Sequence, residues 1–319
     1  MACLVLSFIS AMAQKNANTK AARNRTLGLS EAEVAQYRKC LTLGYECGEG
    51  DQVICADAFE TLPRLPGKGF DLLLVDPPYN LTKLFGKAKF KQISSDDYEA
   101  WLDLWLRLCV RLLKETASVY ICGDWRSASA IQNVGSRYFK LQNRITWERE
   151  KGRGAKKNWK NAAEDIWFFT VSHKYTFNLD AVKQKRRVIA PYTENGKPKD
   201  WSRDEDGNFR ITHPSNIWTD ITVPFWSMPE NTDHPTQKPE KLLAKIILAS
   251  TNAGDCILDP FAGVGTTAVV AKKLGRRFVA IEADEDYCLL ALKRLELAET
   301  DKSIQGFSDG VFWERNSGK

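Results

Sequence analysis

Three histidines in 319 residues leave little imidazole from which to build a metal centre. The eight cysteines are scattered from Cys3 to Cys288, and none forms the C-x-x-C pair on which zinc sites and redox motifs are built. Cys55, Cys109, Cys122 and Cys256 stand among apolar residues, where a free thiol behaves as a small hydrophobe. This usage predicts a reducing compartment, the cytoplasm, and no bound metal. No apolar run reaches the ~18–20 residues that span a bilayer, so no membrane partner is expected. The apolar start from Cys3 to Ile9 lacks the basic opening of a signal peptide. Met12, followed by a polar and basic stretch, reads as the natural start of translation. Internal repeats and low-complexity segments are lacking too.

A hydrophobic fraction of 43% is enough for a sizeable core and argues against wholesale disorder. The net charge of +6 is moderate, but its distribution is uneven. Between Lys151 and Arg210 there are fourteen Lys and Arg against eight Asp and Glu, an excess equal to that of the whole chain. Concentrated positive charge is the footprint of a polyanion partner, although a solvated basic face would look the same.

Hydrophobic patterning predicts an α/β fold, a doubly wound and mostly parallel sheet. Val53 to Ala56, Phe70 to Val75, Ser118 to Cys122, Leu141 to Trp147, Asp165 to Val171, Cys256 to Leu258 and Phe278 to Ile281 read as strands. The run from Phe70 to Val75 is almost continuously apolar, as in a parallel strand buried on both faces. Residues 97–114, 239–251, 266–274 and 284–297 read as helices, and Ser30 opens a capping box before another. Ordered α/β structure is expected from Gln52. From about 172 to 232 the alternation fails, and a loop-rich stretch of that length in a compact domain is usually functional. The predicted organisation is therefore an N-terminal extension (1–50), one half-domain (51–171), an irregular insertion (172–232), a second half-domain (233–300) and a C-terminal tail (301–319).

Ligands of such sheets bind at the carboxyl ends of the strands, where Asp57, Asp76, Asp259 and Glu282 all fall. The stretch from Asp259 to Thr267 joins a strand to a helix through Gly263 and Gly265, which let the backbone turn tightly and approach a ligand. With Glu282 at the next strand end to accept from ribose hydroxyls, it predicts a nucleotide-like cofactor without saying which.

A second motif, Asp76-Pro77-Pro78-Tyr79-Asn80, ends the buried strand at Val75. Two successive prolines fix φ and remove two N–H donors, so their carbonyls project from a stiff loop beside a carboxylate and an aromatic ring. That set suits an amino group on a flat ring: Asp76 accepts one amino hydrogen, a proline carbonyl the other, and Tyr79 stacks on the ring. Alone, either motif is also compatible with a plain tight turn.

Together, and in this order, the two motifs resemble the amino-methyltransferase family of bacterial DNA modification enzymes, in its circularly permuted β group. Matching segments run from about 53 to 171 and from 233 to 297. The resemblance implies an S-adenosylmethionine-dependent enzyme that methylates an exocyclic amino group of a flipped-out base in double-stranded DNA. It implies Asp76, Pro77, Pro78 and Tyr79 as the catalytic loop, with Asp76 also touching the cofactor. Asp259, Pro260, Phe261, Gly263, Gly265, Thr266 and Thr267 would form the methionine side of the cofactor pocket. Glu282 would hold the ribose, and Asp57 with Ala58 the adenine. In the segment from His234 to Pro239, Thr236 and Lys238 would face the methionine carboxylate. Residues 172–232 would form the target recognition region. Lys151, Arg153, Lys156, Lys157, Lys160, Lys183, Lys185, Arg186 and Arg187 would contact phosphates. Trp159 and Trp201 are candidate stacking platforms, although Trp201, Trp218 and Trp226 read better as core residues of a small subdomain. A cognate restriction endonuclease and a homodimer are open as partners.

An aspartate at position 76 favours N6 of adenine; relatives acting on N4 of cytosine more often carry serine there. An inactive DNA-binding protein, an RNA methyltransferase and a nicotinamide oxidoreductase are the alternatives. The last leaves Asp76 to Tyr79 and the basic stretch without a role.

Overall fold

The computed structural model describes residues 23–44, 50–85, 88–149, 157–189, 191–205 and 207–314. The expected start at Met12, and Lys151, Arg153 and Lys156 of the basic run, lie outside them.

Helix α1 (Glu31–Cys40) opens on the expected capping box: Glu33 N donates to Ser30 Oγ, and Ser30 N to Glu33 Oε2 at 2.8 Å. Strand β1 (Thr42–Leu43) pairs in parallel with β2 (Gln52–Cys55), so the sheet begins before Gln52; two residues carry too little periodicity to be read as a strand. Next come α2 (Ala58–Thr61), β3 (Phe70–Val75) and a hairpin of β4 (Lys83–Phe85) and β5 (Ala88–Phe90). Helix α3 (Ser95–Val110), capped by Ser94, ends sooner than expected, because β6 (Leu113–Gly123) takes over its last residues and runs longer than expected. Helix α4 (Ala128–Tyr138) was not anticipated from the pattern; β7 (Lys140–Glu148) and β8 (Ala163–Thr170) extend the two expected strands.

The insertion is less irregular than its composition suggests. It holds β9 (Gln184–Arg187), a hairpin of β10 (Thr193–Glu194) and β11 (Lys197–Pro198), then β12 (Ser202–Asp204), β13 (Gly207–Thr212) and β14 (Ile217–Trp218). The second half follows as α5 (Glu240–Ser250), β15 (Cys256–Asp259), α6 (Thr266–Lys273), β16 (Arg277–Glu282) and α7 (Glu285–Thr300). The C-terminal stretch is no separate tail: β17 (Phe307–Ser308) and β18 (Val311–Trp313) join the insertion in a five-stranded sheet ordered β12-β13-β9-β18-β17.

Among the described residues the main sheet has nine strands ordered β1-β2-β16-β15-β3-β6-β8-β7-β14, parallel except where β8 runs against β6 and β7. Its period-two alternation splits the core in two. Leu72 and Leu74 of β3 face α5, α6 and α7, while Leu73 and Val75 face α3 and α4. Each fully buried Leu or Trp stabilises by about 1.5–3 kcal/mol, and both layers are filled with them. Sequence order is broken where it matters for function. β15 lies beside β3, with Leu258 opposite Leu73, so two strand ends some 180 residues apart in the chain stand side by side. Across β2, β16, β15 and β3 the carboxyl ends present Asp57, Glu282, Asp259 and Asp76 in a row.

Candidate active site

The row of acids borders a cavity of about 590 Å³. Every residue of the Asp76–Tyr79 loop lines it, as do Asp57, Ala58, Lys238, Asp259, Pro260, Phe261, Gly263, Thr266, Thr267 and Glu282. Gly265 does not. At φ +70° it caps α6, and a Cβ there would stand 2.6 Å from that of Ala291 in α7, so its role is helix packing. Gly263, at φ +53°, faces the His234 ring, and a Cβ would lie 3.2 Å from its Nε2. Omitting that side chain keeps the turn open to a ligand.

The glycine turn is braced from several sides. Glu282 Oε2 accepts from Gly263 N at 2.8 Å and its Oε1 from Asp284 N at 2.9 Å. Asp259 Oδ1 accepts from Phe261 N at 3.1 Å. Burial pushes the Asp259 carboxyl up to about 7 and raises that of Glu282. Arg294 of α7, itself buried, donates to Val264 O and to Thr266 Oγ1. Asp57 caps α2 by accepting from Phe59 N and Glu60 N. Phe261 packs its ring on Trp101 and Trp105 of α3.

The proline loop is fixed from outside itself. Tyr98 Oη donates to Pro78 O at 3.0 Å, while no hydrogen bond among the described residues reaches Pro77 O. Asn80 and Ile93 exchange two side chain–backbone bonds of 2.9 Å, which tie the ends of the β4–β5 hairpin together. Both oxygens of Asp76 are partnered: Oδ1 accepts from Tyr79 Oη at 2.9 Å and Oδ2 from Lys238 Nζ at 2.6 Å. Burial, then the charges of Asp76 and Glu164, push the Tyr79 phenol well above its ordinary range, so it stays protonated. Burial opposes the charge of Lys238, but Asp76 and Glu164 outweigh it and hold the ammonium charged.

Lys238 lines the cavity with a side chain only 6% exposed, and its ammonium sits among Asp76, Tyr79 and Glu164. Beside it, Gln237 locks the preceding loop, bonding Glu230 O, Thr232 N and Thr232 Oγ1. Thr236 lines the cavity as expected.

The expected phosphate contacts fare unevenly. Lys157 and Lys160 are exposed. Lys183 pairs with Asp180, Lys185 lies over the rings of Phe209 and Trp313, and Arg186 pairs with Glu314; Arg187 is exposed. Of the three tryptophans read as core, only Trp218 is buried. Trp226 is half exposed, and Trp201 donates its indole N–H to Tyr192 O. Trp159 is 93% exposed. Sequence reading missed Tyr98, Glu164 and Arg149 altogether. Their only signal was polarity within or beside apolar runs.

A doubly wound sheet that sets a glycine-lined cavity beside an Asp-Pro-Pro-Tyr loop defines an α/β methyltransferase domain. The family follows from comparison with known proteins. The model of a DNA methylase family, spanning N6 and N4 enzymes, matches residues 70–293. The DNA adenine methyltransferase YhdJ of Escherichia coli (strain K12) is 35% identical over 257 residues, 78% of this chain and 84% of that protein. The chain belongs to this DNA methylase family. Two solved structures share the fold. The M1.HpyAVI–SAM complex aligns with a TM-score of 0.54 at 23% identity, covering 80% of this chain and 98% of that one. The cytosine-N4-specific PvuII DNA methyltransferase aligns at 0.58 and 16% identity, over 80% and 87%.

Proposed function

We propose that the protein transfers a methyl group from S-adenosylmethionine to N6 of an adenine swung out of double-stranded DNA. One observation carries the reading: a rigid Asp76-Pro77-Pro78-Tyr79 loop, whose Pro77 carbonyl no described residue bonds, opens into the glycine-lined cavity. The cavity suits the cofactor. Gly263 leaves room where any side chain would meet His234, and Glu282 and Asp57 stand at the strand ends where hydroxyl and amino groups need acceptors. When bound there, S-adenosylmethionine supplies a methyl group on a sulfonium, electrophilic enough that no covalent enzyme intermediate is needed.

The protein's own part is positioning and electrostatics. Asp76 and the Pro77 carbonyl accept the two amino hydrogens, which localises the nitrogen lone pair, and Tyr79 supports the ring. The nitrogen loses one hydrogen as a proton, and Asp76, the ionisable partner of the two, takes it. A base in a duplex cannot reach a carboxylate set in this cavity, so the target must leave the stack. The exposed Lys157, Lys160 and Arg187, together with the sheet built from β9, β12, β13, β17 and β18, supply phosphate contacts and target recognition.

Adenine is favoured over cytosine by Asp76 and by the name that YhdJ carries. Incubating the protein with labelled S-adenosylmethionine and duplexes of mixed sequence, then digesting to nucleosides, tests this directly. N6-methyladenine is the expected product; label recovered only as N4-methylcytosine overturns the choice of base.

A further inference from the structure

Glu164 lies near the start of β8, on the side of the catalytic loop away from the glycine turn. Its side chain is 6% exposed, and a carboxylate so buried needs partners for both oxygens. It has them. Oε1 takes the guanidinium of Arg149, just past β7, while Oε2 lies 3.3 Å from Lys238 Nζ and 3.3 Å from Tyr79 Oη. Those two groups are also the ones that occupy Asp76. One ammonium and one phenol are thus shared between two carboxylates.

The sharing resolves a difficulty in the mechanism. With Tyr79 on Oδ1 and Lys238 on Oδ2, each oxygen of Asp76 already carries a hydrogen bond, and the Lys238 ammonium competes with a target amino group for the carboxylate's charge. Releasing it means moving a buried ammonium off its nearest counter-charge, which is costly unless another anion receives it. Glu164 is already in reach: a shift of about half an ångström brings Lys238 to an ordinary charged hydrogen-bond length. Arg149 pins the far oxygen and keeps the carboxylate aimed at the site.

We propose that Glu164 is a positioning residue for methyl transfer, the second carboxylate to which Lys238 and Tyr79 turn when the target amino group takes their place on Asp76. This rests on the amino-methylation reading above. A purely structural Glu164, neutralising Lys238 and Arg149, would affect stability and binding but not the chemical step alone.

Glu164→Gln keeps the shape and removes the charge. In the full-length protein at saturating S-adenosylmethionine and duplex, its single-turnover transfer is expected to fall at least about tenfold, while S-adenosylhomocysteine affinity stays within about threefold. The loss arises because Lys238 remains clamped on Asp76. Adding Lys238→Gln to E164Q should therefore recover the rate by at least about threefold, a coupling that only residues acting through one another show. The idea is overturned by an unchanged rate in E164Q, by a rate loss matched by lost cofactor affinity and thermal stability, or by a double variant no faster than E164Q. Wild-type protein in the same assay separates the two readings. If it transfers no methyl group to adenine or cytosine, the proposed function fails; if it transfers normally and one of those three results is found, only the role of Glu164 fails.

Discussion

At the scale of single residues, the site is a set of carboxylates in different electrical surroundings. Asp76 faces an ammonium and a phenol, so Asp76→Ala is expected to reduce transfer by at least about 1,000-fold. S-adenosylhomocysteine affinity, measured by calorimetry, should change only a few-fold, since the glycine turn is untouched; a near-normal rate would refute the assigned role. Asp259 is different, because burial lifts its carboxyl to about 7. Unfolded, it ionises near 4, so between about pH 4 and 7 the folded state holds a proton that the unfolded state has lost. Stability therefore falls as pH rises through that window, by up to about 1.4 kcal/mol per unit, and the deficit is constant above it. Asp259→Asn removes this dependence while keeping the acceptor for Phe261 N. Melting curves of both proteins from pH 5 to 8 should diverge in favour of the variant as pH rises, and parallel curves would contradict the argument. Asp76, Asp259 and Glu282 were legible in the sequence because each ends an apolar run. Glu164 was not, because its partners arrive from segments 15 to 85 residues away.

At the scale of elements, the glycine turn separates two roles that look alike in sequence. Gly263 borders the cavity, whereas Gly265 lets α6 start against α7. Gly265→Ala meets both a left-handed backbone, costing about 1–2 kcal/mol, and a clash with Ala291 that costs about 1–3 more. Gly275, also left-handed at φ +71° but with open space around it, is the control: alanine there incurs only the backbone part. Thermal unfolding should show G265A markedly less stable than G275A. Equal melting points would mean that α7 yields without cost. The apolar face of α3 and of α5 was legible, but α4 escaped notice because the poor helix formers Ser129, Asn133, Gly135 and Ser136 are spread through it, and β1 because two residues have no period.

At the scale of the molecule, the C-terminal stretch closes the second sheet. Phe312 is fully buried, and beside it Lys241 and Lys245 of α5 share Asp220 at 2.9 and 2.7 Å. Lys241 also donates to Trp313 O, so the C-terminal strand, the insertion and the cofactor half meet at one buried ionic cluster. Deleting residues 305–319 removes Phe312 and that acceptor, and should lower the melting temperature by at least about 5 °C, given about 3–5 kcal/mol for an aromatic core side chain. An unchanged melting point would show that the stretch is dispensable. The chain's own alphabet determined the sheet class, the two motifs and the chemistry they imply, because strand alternation, proline stiffness and glycine freedom are local properties. Only the tertiary structure decided that Lys238 turns to Asp76, that Glu164 joins them, and that the last strands complete the insertion's sheet. Each of these depends on contacts between residues far apart in sequence, and a buried charge settles only where packing leaves it an opposite partner.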